Sequence, residues 1–222
     1  MAITYEIKEY LNYGKCICID NGKLEMYVTL DIGPRIIKLN LKGKANMLFN
    51  DIERLQVKDN DKYKEVFGSD KAWYIYGGHR FWVAPEKFPE TYYPDNNPVE
   101  YTVTGNVFTF TVPVEKVTSW QKVLEITVCE DKPCAKIRHI LKNCAATEQQ
   151  GSIWALSVTA AGGKVIFEQA KENTGLLANR TLMIWPYNKM SDKRFYMDDD
   201  YICINQSKDA LTSFKIGTNN TK

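Results

Sequence analysis

Residues 73–86 read WYIYGGHRFWVAPE. Alternation makes 73–76 a strand and 79–83 a second extended piece, with Gly77-Gly78 between them as a bulge or a close backbone approach. In an extended chain His79 and Phe81 leave one face while Arg80 and Trp82 leave the other. One face is then core and the other a site, and alternation by itself leaves open which is which. Two tryptophans, two tyrosines, a His-Arg pair and a carboxylate within fourteen residues are not the composition of a connector. They suit a flat, polar ligand.

The same period-two pattern extends outward in both directions. Residues 3–10 and 15–20 alternate, and Asn21-Gly22 forms a hairpin signal into 24–30. Asp31-Ile32-Gly33-Pro34 breaks the chain before a strand over 35–41, and Lys42-Gly43-Lys44 turns it again. Residues 56–71 are polar with few apolar anchors and read as a surface loop. Beyond the aromatic run, 99–103 and 107–112 form a hairpin across Gly105-Asn106. Residues 121–129 and 134–141 form another across 130–133. Further strands are expected at 152–160, 164–167, 175–177, 181–185, 201–205 and 211–216, with slight helical character at 168–172. Without a βαβ rhythm, this is an all-β chain: a large antiparallel sandwich formed by 1–222 as one domain.

Composition narrows the function. The chain has 222 residues, with 29 Lys and Arg against 27 Asp and Glu, so a net charge of +2 offers nothing to nucleic acid or an anionic membrane. No apolar run approaches the roughly 20 residues that span a bilayer, and the N-terminal residues alternate and carry charge. The expectation is a soluble, cytoplasmic protein. Cysteines 16, 18, 129, 134, 144 and 203 lack zinc-site spacing and read as buried, reduced thiols in strands. The sequons at Asn179, Asn205 and Asn219 are then chance matches. No cofactor and no metal-ligand set is expected. Asp198-Asp199-Asp200 could offer oxygens to calcium but reads as a solvated turn.

Several blocks together resemble the galactose mutarotase-like superfamily, specifically the uncharacterised bacterial branch related to aldose 1-epimerases. They are DIGPRIIKLNLKGKANMLF (31–49), YGGHRFWVAPE (76–86), YYPDNNPV (92–99), HILKN (139–143), SIWALSVTAAGG (152–163), MIWPYNKMSDKRF (183–195) and KIGTNN (215–220). The GPRI and GGHR-W-APE blocks are the most specific of these. The resemblance implies a β-supersandwich whose concave face holds a small-molecule saccharide. The stop after Lys222 is expected to mean a truncated or a divergent sandwich, with an exposed edge that a second copy of the chain could cover.

A pyranose presents hydroxyls in its ring plane and an apolar C–H face, so its site needs forked polar groups beside an aromatic platform. Arg35, His79, Arg80, Glu86 and Asp95 supply the first; Trp82, Tyr92, Tyr93, Trp154 and Trp185 supply the second. Trp154 and Trp185 read first as sandwich core, and Arg35 equally as a salt bridge beneath the Gly33-Pro34 turn or as a ligand contact. Mutarotation requires a base for the anomeric hydroxyl and an acid for the ring oxygen. In the family's active epimerases these are a late Glu and a second-half His. Here the corresponding strand, 154–158, reads WALSV, and the chain ends soon after 215–220, so that pair does not carry over. His79 with Glu86, or with Asp95, would have to replace it. Alternatives are a carbohydrate-binding module without turnover and a sugar-acid lyase on the same scaffold, with Tyr92-Tyr93 at the chemistry and Arg80 as carboxylate clamp.

Overall fold

A computed structural model describes residues 2–219. Strands take 43% of the chain and helix 5%, and every sheet is antiparallel, so the protein is all-β. It divides into two compact units, Met1–Val158 and Thr159–Lys222.

The first unit contains β1 (Thr4–Glu9), β2 (Lys15–Asp20), β3 (Leu24–Thr29), β4 (Arg35–Leu41), β5 (Val57–Lys58), α1 (Asp61–Phe67), β6 (Trp73–Tyr74) and β7 (Gly78–Ala84). After a 3-10 turn at Glu90–Tyr92 come β8 (Glu100–Thr104), β9 (Val107–Thr111), β10 (Trp120–Val128), β11 (Ala135–Asn143) and β12 (Ser152–Val158). Six strands pair in the order β1-β2-β3-β4-β7-β12, and four in the order β11-β10-β9-β8.

Alternation explains why these two sheets pack together. Ile17 and Ile19 of β2, Leu24, Met26 and Val28 of β3, and Ile36 of β4 leave one face of the six-stranded sheet. They form one buried cluster with Phe108, Phe110, Leu124, Ile126 and Val128 from the four-stranded sheet. That cluster is the sandwich core. The opposite face of the larger sheet is also covered. Cys16, Cys18, Ile37 and Tyr76 are buried there with Tyr13, and Trp82 with Tyr63, Trp73 and Tyr92.

The segment 56–71 is more ordered than its polarity suggested. It holds β5, paired with β6, and α1, whose first turn is capped by Asn60 Oδ1 accepting from Tyr63 N at 3.0 Å. One buried residue, Tyr63, anchors the helix. In the second unit β13 (Lys164–Glu168), β15 (Phe195–Met197) and β16 (Tyr201–Asn205) form one sheet, and β14 (Leu182–Ile184) pairs with β17 (Ile216–Thr218). Residues 175–177, expected as a strand, form a turn with Leu176 fully exposed. Residues 169–174 have no regular structure in place of the slight helical character expected at 168–172.

Cysteine pairing departs from the expectation of six thiols. Cys129 and Cys134 are joined by a disulfide across the β10–β11 turn, while Cys16, Cys18, Cys144 and Cys203 are free. Only Cys16 and Cys18 of the free four are buried.

Candidate functional site

Strand β7 lies between β4 and β12, and the glycine pair allows it to lie there. A Cβ on Gly77 would stand 2.1 Å from Phe49 O, and one on Gly78 2.3 Å from Ile36 O. Both residues have positive φ, which glycine tolerates. The register then decides which side chains meet. Arg80 pairs with Arg35 on one side and Leu156 on the other; His79 pairs with Ile36 and Ser157. Trp82 faces Trp154 in the same way.

Arg35, Arg80, Trp82 and Trp154 therefore share the outer face of the six-stranded sheet. Arg35 and Arg80 are 0% and 4% exposed, although each carries a full charge. Asp95 is their shared counter-ion: Arg35 Nη2 donates to Oδ1 at 2.7 Å, and Arg80 Nη2 stands 3.7 Å from Oδ2. Two guanidinium groups against one carboxylate leave one positive charge in excess. Burial and the neighbouring Arg35 push the Arg80 pKa down to about 9. Burial pushes Asp95 up, but Arg35 and Arg80 more than offset it and hold the carboxyl below its ordinary value.

The same face is built of aromatic rings. Trp82 stacks on Trp73 at 5.7 Å and on Trp154 at 5.4 Å, and Tyr92 sets its edge against both Trp73 and Trp82. The Arg80 guanidinium lies 4.9 Å from the Trp73 ring and 4.8 Å from the Trp82 ring; that of Arg35 lies 4.7 Å from Tyr76. The Trp82 indole N–H donates to Thr91 O, and the Tyr92 hydroxyl to Glu86 Oε1. Among the described residues five buried side-chain nitrogens have no acceptor: Nε and Nη1 of Arg35, Nε and Nη1 of Arg80, and Nε1 of Trp73. Native interiors rarely leave such groups unpaired. Beside Asp95, a cavity of about 30 Å³ lined by Pro34, Phe81, Tyr93, Glu115 and Lys122 has room for about one water.

No family model, curated protein or solved structure matches the chain.

His79 is not on that face. Its Nδ1 lies 2.8 Å from Ser157 Oγ, and its Nε2 lies 2.9 Å from Nε2 of His139 on β11. The Phe81 ring meets His139 edge-on at 5.2 Å. Burial, and secondarily His139, lowers the His79 pKa to about 3; burial lowers that of His139 too. Glu86 lies past the end of β7 and is held by Tyr92 on the aromatic side. The acid–base pair expected of His79 and Glu86 is therefore not assembled, because His79 points to the inner face with Ser157 and His139 while Glu86, beyond the strand end, is held by Tyr92 on the aromatic side. The alternative partner, Asp95, belongs to the two arginines.

Of the other nominated residues, Arg35, Arg80, Trp82, Tyr92, Asp95 and Trp154 come together. Tyr93 borders the small cavity, with its ring against Phe67. Trp185 belongs to the second unit, where the Lys215 ammonium lies 4.0 Å from its ring centroid. Sequence reading passed over Trp73 and Tyr76, the platforms under the arginines, although both belong to the quoted stretch. It also passed over His139 and Ser157. The visible signal for His139 was its place beside Ile137 and Leu141 on the inward side of an alternating strand. Among the described residues no group of three or more His, Cys, Asp or Glu side chains could hold a metal ion.

Proposed function

We propose that this chain is a carbohydrate-binding protein of the galactose mutarotase-like, aldose 1-epimerase type, and that its ligand is a saccharide bearing an oxyanion, a carboxylate or a phosphate. The observation that carries this reading is the set of five buried donors without acceptors around a surplus positive charge. All five are N–H groups, so the complement is rich in acceptor oxygens. A planar guanidinium binds carboxylate or phosphate in a forked manner. Indole faces beside it suit the C–H face of a sugar ring. Because Arg35 and Arg80 are nearly inaccessible, binding requires the segment that carries Asp95 to give way, with the ligand oxyanion taking over part of its role.

Binding without turnover is the form of this proposal that the geometry favours. Ring opening needs an acid and a base on the same sugar, and His79 and Glu86 do not meet. A lyase reaction with Tyr92 as base has less support, since burial and the Glu86 carboxylate both raise that phenol's pKa. Calorimetry with glucuronate, galacturonate, glucose 6-phosphate and neutral glucose and galactose tests the reading. Acidic sugars should bind, the uronates and the phosphate separating the two oxyanion sources. Arg80→Gln should weaken binding by roughly thirtyfold, the equivalent of about 2 kcal/mol for a charge-assisted hydrogen bond. Folded protein that takes up none of the acidic sugars overturns it. Polarimetry on freshly dissolved α-glucose and α-galactose tests turnover separately.

A further inference from the structure

The second cluster of chemically capable side chains lies on the inner face, away from the arginines. His79 stands on β7 of the six-stranded sheet and His139 on β11 of the four-stranded sheet. Their Nε2 atoms point at each other across 2.9 Å, with the rings inclined at 49°. β12 is the last strand of one sheet and β11 the last of the other, His79 and His139 are half-buried residues, and Ser157 is exposed.

We propose that the facing Nε2 atoms of His79 and His139 form a two-imidazole site for a divalent transition cation of borderline softness, such as Zn²⁺, Co²⁺ or Ni²⁺. Imidazole suits these ions, whereas Mg²⁺ and Ca²⁺ prefer oxygen. Two nitrogens on one tetrahedral ion, at the usual Zn–N length of about 2.0–2.1 Å, stand about 3.3 Å apart. Opening the present separation by roughly 0.4 Å, with both rings turned so that their Nε2 lone pairs converge on one point to the side of the line joining them, meets that spacing.

The second contact of His79 fits the same role. A ligating imidazole ordinarily passes its other ring N–H to an oxygen, which fixes tautomer and ring plane. Ser157 Oγ, 2.8 Å from His79 Nδ1, is placed to accept it. With Nδ1 protonated, His79 presents its Nε2 lone pair to His139, whose Nε2–H can donate to it across the 2.9 Å; a cation takes the place of that proton, which leaves to solvent. Phe81 walls the site on one side with its ring against His139. The two histidines are the protein ligands the site offers and its remaining coordination positions are left to solvent or a small ligand, so the affinity is that of a two-ligand site and not of a closed structural centre. This inference does not depend on the saccharide reading.

Titrating the full chain with Zn²⁺ by calorimetry, and with Co²⁺ by visible absorption, tests the proposal. One equivalent should bind, and the Co²⁺ spectrum should show nitrogen and oxygen ligands without a thiolate charge-transfer band. His79→Ala and His139→Ala should each remove the site. Ser157→Ala should weaken it about tenfold, as losing an outer-shell partner does. Should either histidine variant fail to fold, Co²⁺-induced broadening in amide spectra of the unaltered protein answers the same question and should centre on residues 79, 139 and 157. No stoichiometric uptake, uptake unchanged in both histidine variants, a thiolate band, or broadening centred elsewhere each overturns the proposal.

Discussion

Asp95 is the residue on which the outer face turns, because two buried cations depend on its one carboxylate. Removing one partner of a buried ion pair leaves an uncompensated charge, which costs about 3–5 kcal/mol. Asp95→Asn should lower stability by that order in urea denaturation, with the slope of the transition unchanged. The pH dependence has a definite sign. The folded-state pKa of Asp95 lies below the ordinary value, so its contribution is complete above about pH 4 and is lost as pH falls through the folded value. The urea midpoint of the unaltered protein should therefore fall with acidification below about pH 4, and Asp95→Asn should lack that component. Arg35 had two readings in the sequence, a salt bridge beneath Gly33-Pro34 or a ligand contact. It makes the salt bridge, yet keeps two nitrogens unpaired. Neither reading alone describes it.

At the scale of elements, β7 is the member whose place determines the site. Gly78→Ala would put a methyl group 2.3 Å from Ile36 O at a positive φ, so β4 and β7 would have to part. The expected cost is more than about 2 kcal/mol, with faster amide exchange concentrated in β4 and β7. The β10–β11 turn makes a second case. Cys129–Cys134 closes a short loop, and Asn21 Nδ2 ties it to the β2–β3 turn through Cys129 O at 2.6 Å and Lys132 O at 2.8 Å. Reduction, or Cys129→Ser with Cys134→Ser, should cost about 2 kcal/mol, visible as a lower thermal midpoint in reductant. The pairing was hidden in the sequence because the expectation rested on compartment and not on turn geometry. Helix α1 was hidden differently: its one buried anchor, Tyr63, shows no periodicity in so short a segment.

Across the whole molecule, the sandwich core carries the stability of the first unit. Leu124, 0% exposed, lies among side chains from both sheets. Leu124→Ala should cost about 3 kcal/mol through lost burial and the cavity left behind, measured by denaturation. Among the described residues no helix is long and apolar enough to cross a membrane. The sequence by itself determined that the chain is all-β, where most strands run, and which residues of a strand share a face, since a period of two reports local geometry directly. Adjacency on one strand was enough to put His79 and Arg80 on opposite faces, without saying which face was which. Tertiary structure alone decided the partners: Asp95 between two arginines, Trp73 under Arg80, His139 sixty positions from His79. Alternation records which way a side chain points and carries no information about what stands opposite. That is settled by strand order, register and the packing of two sheets, which depend on the burial of the whole chain at once.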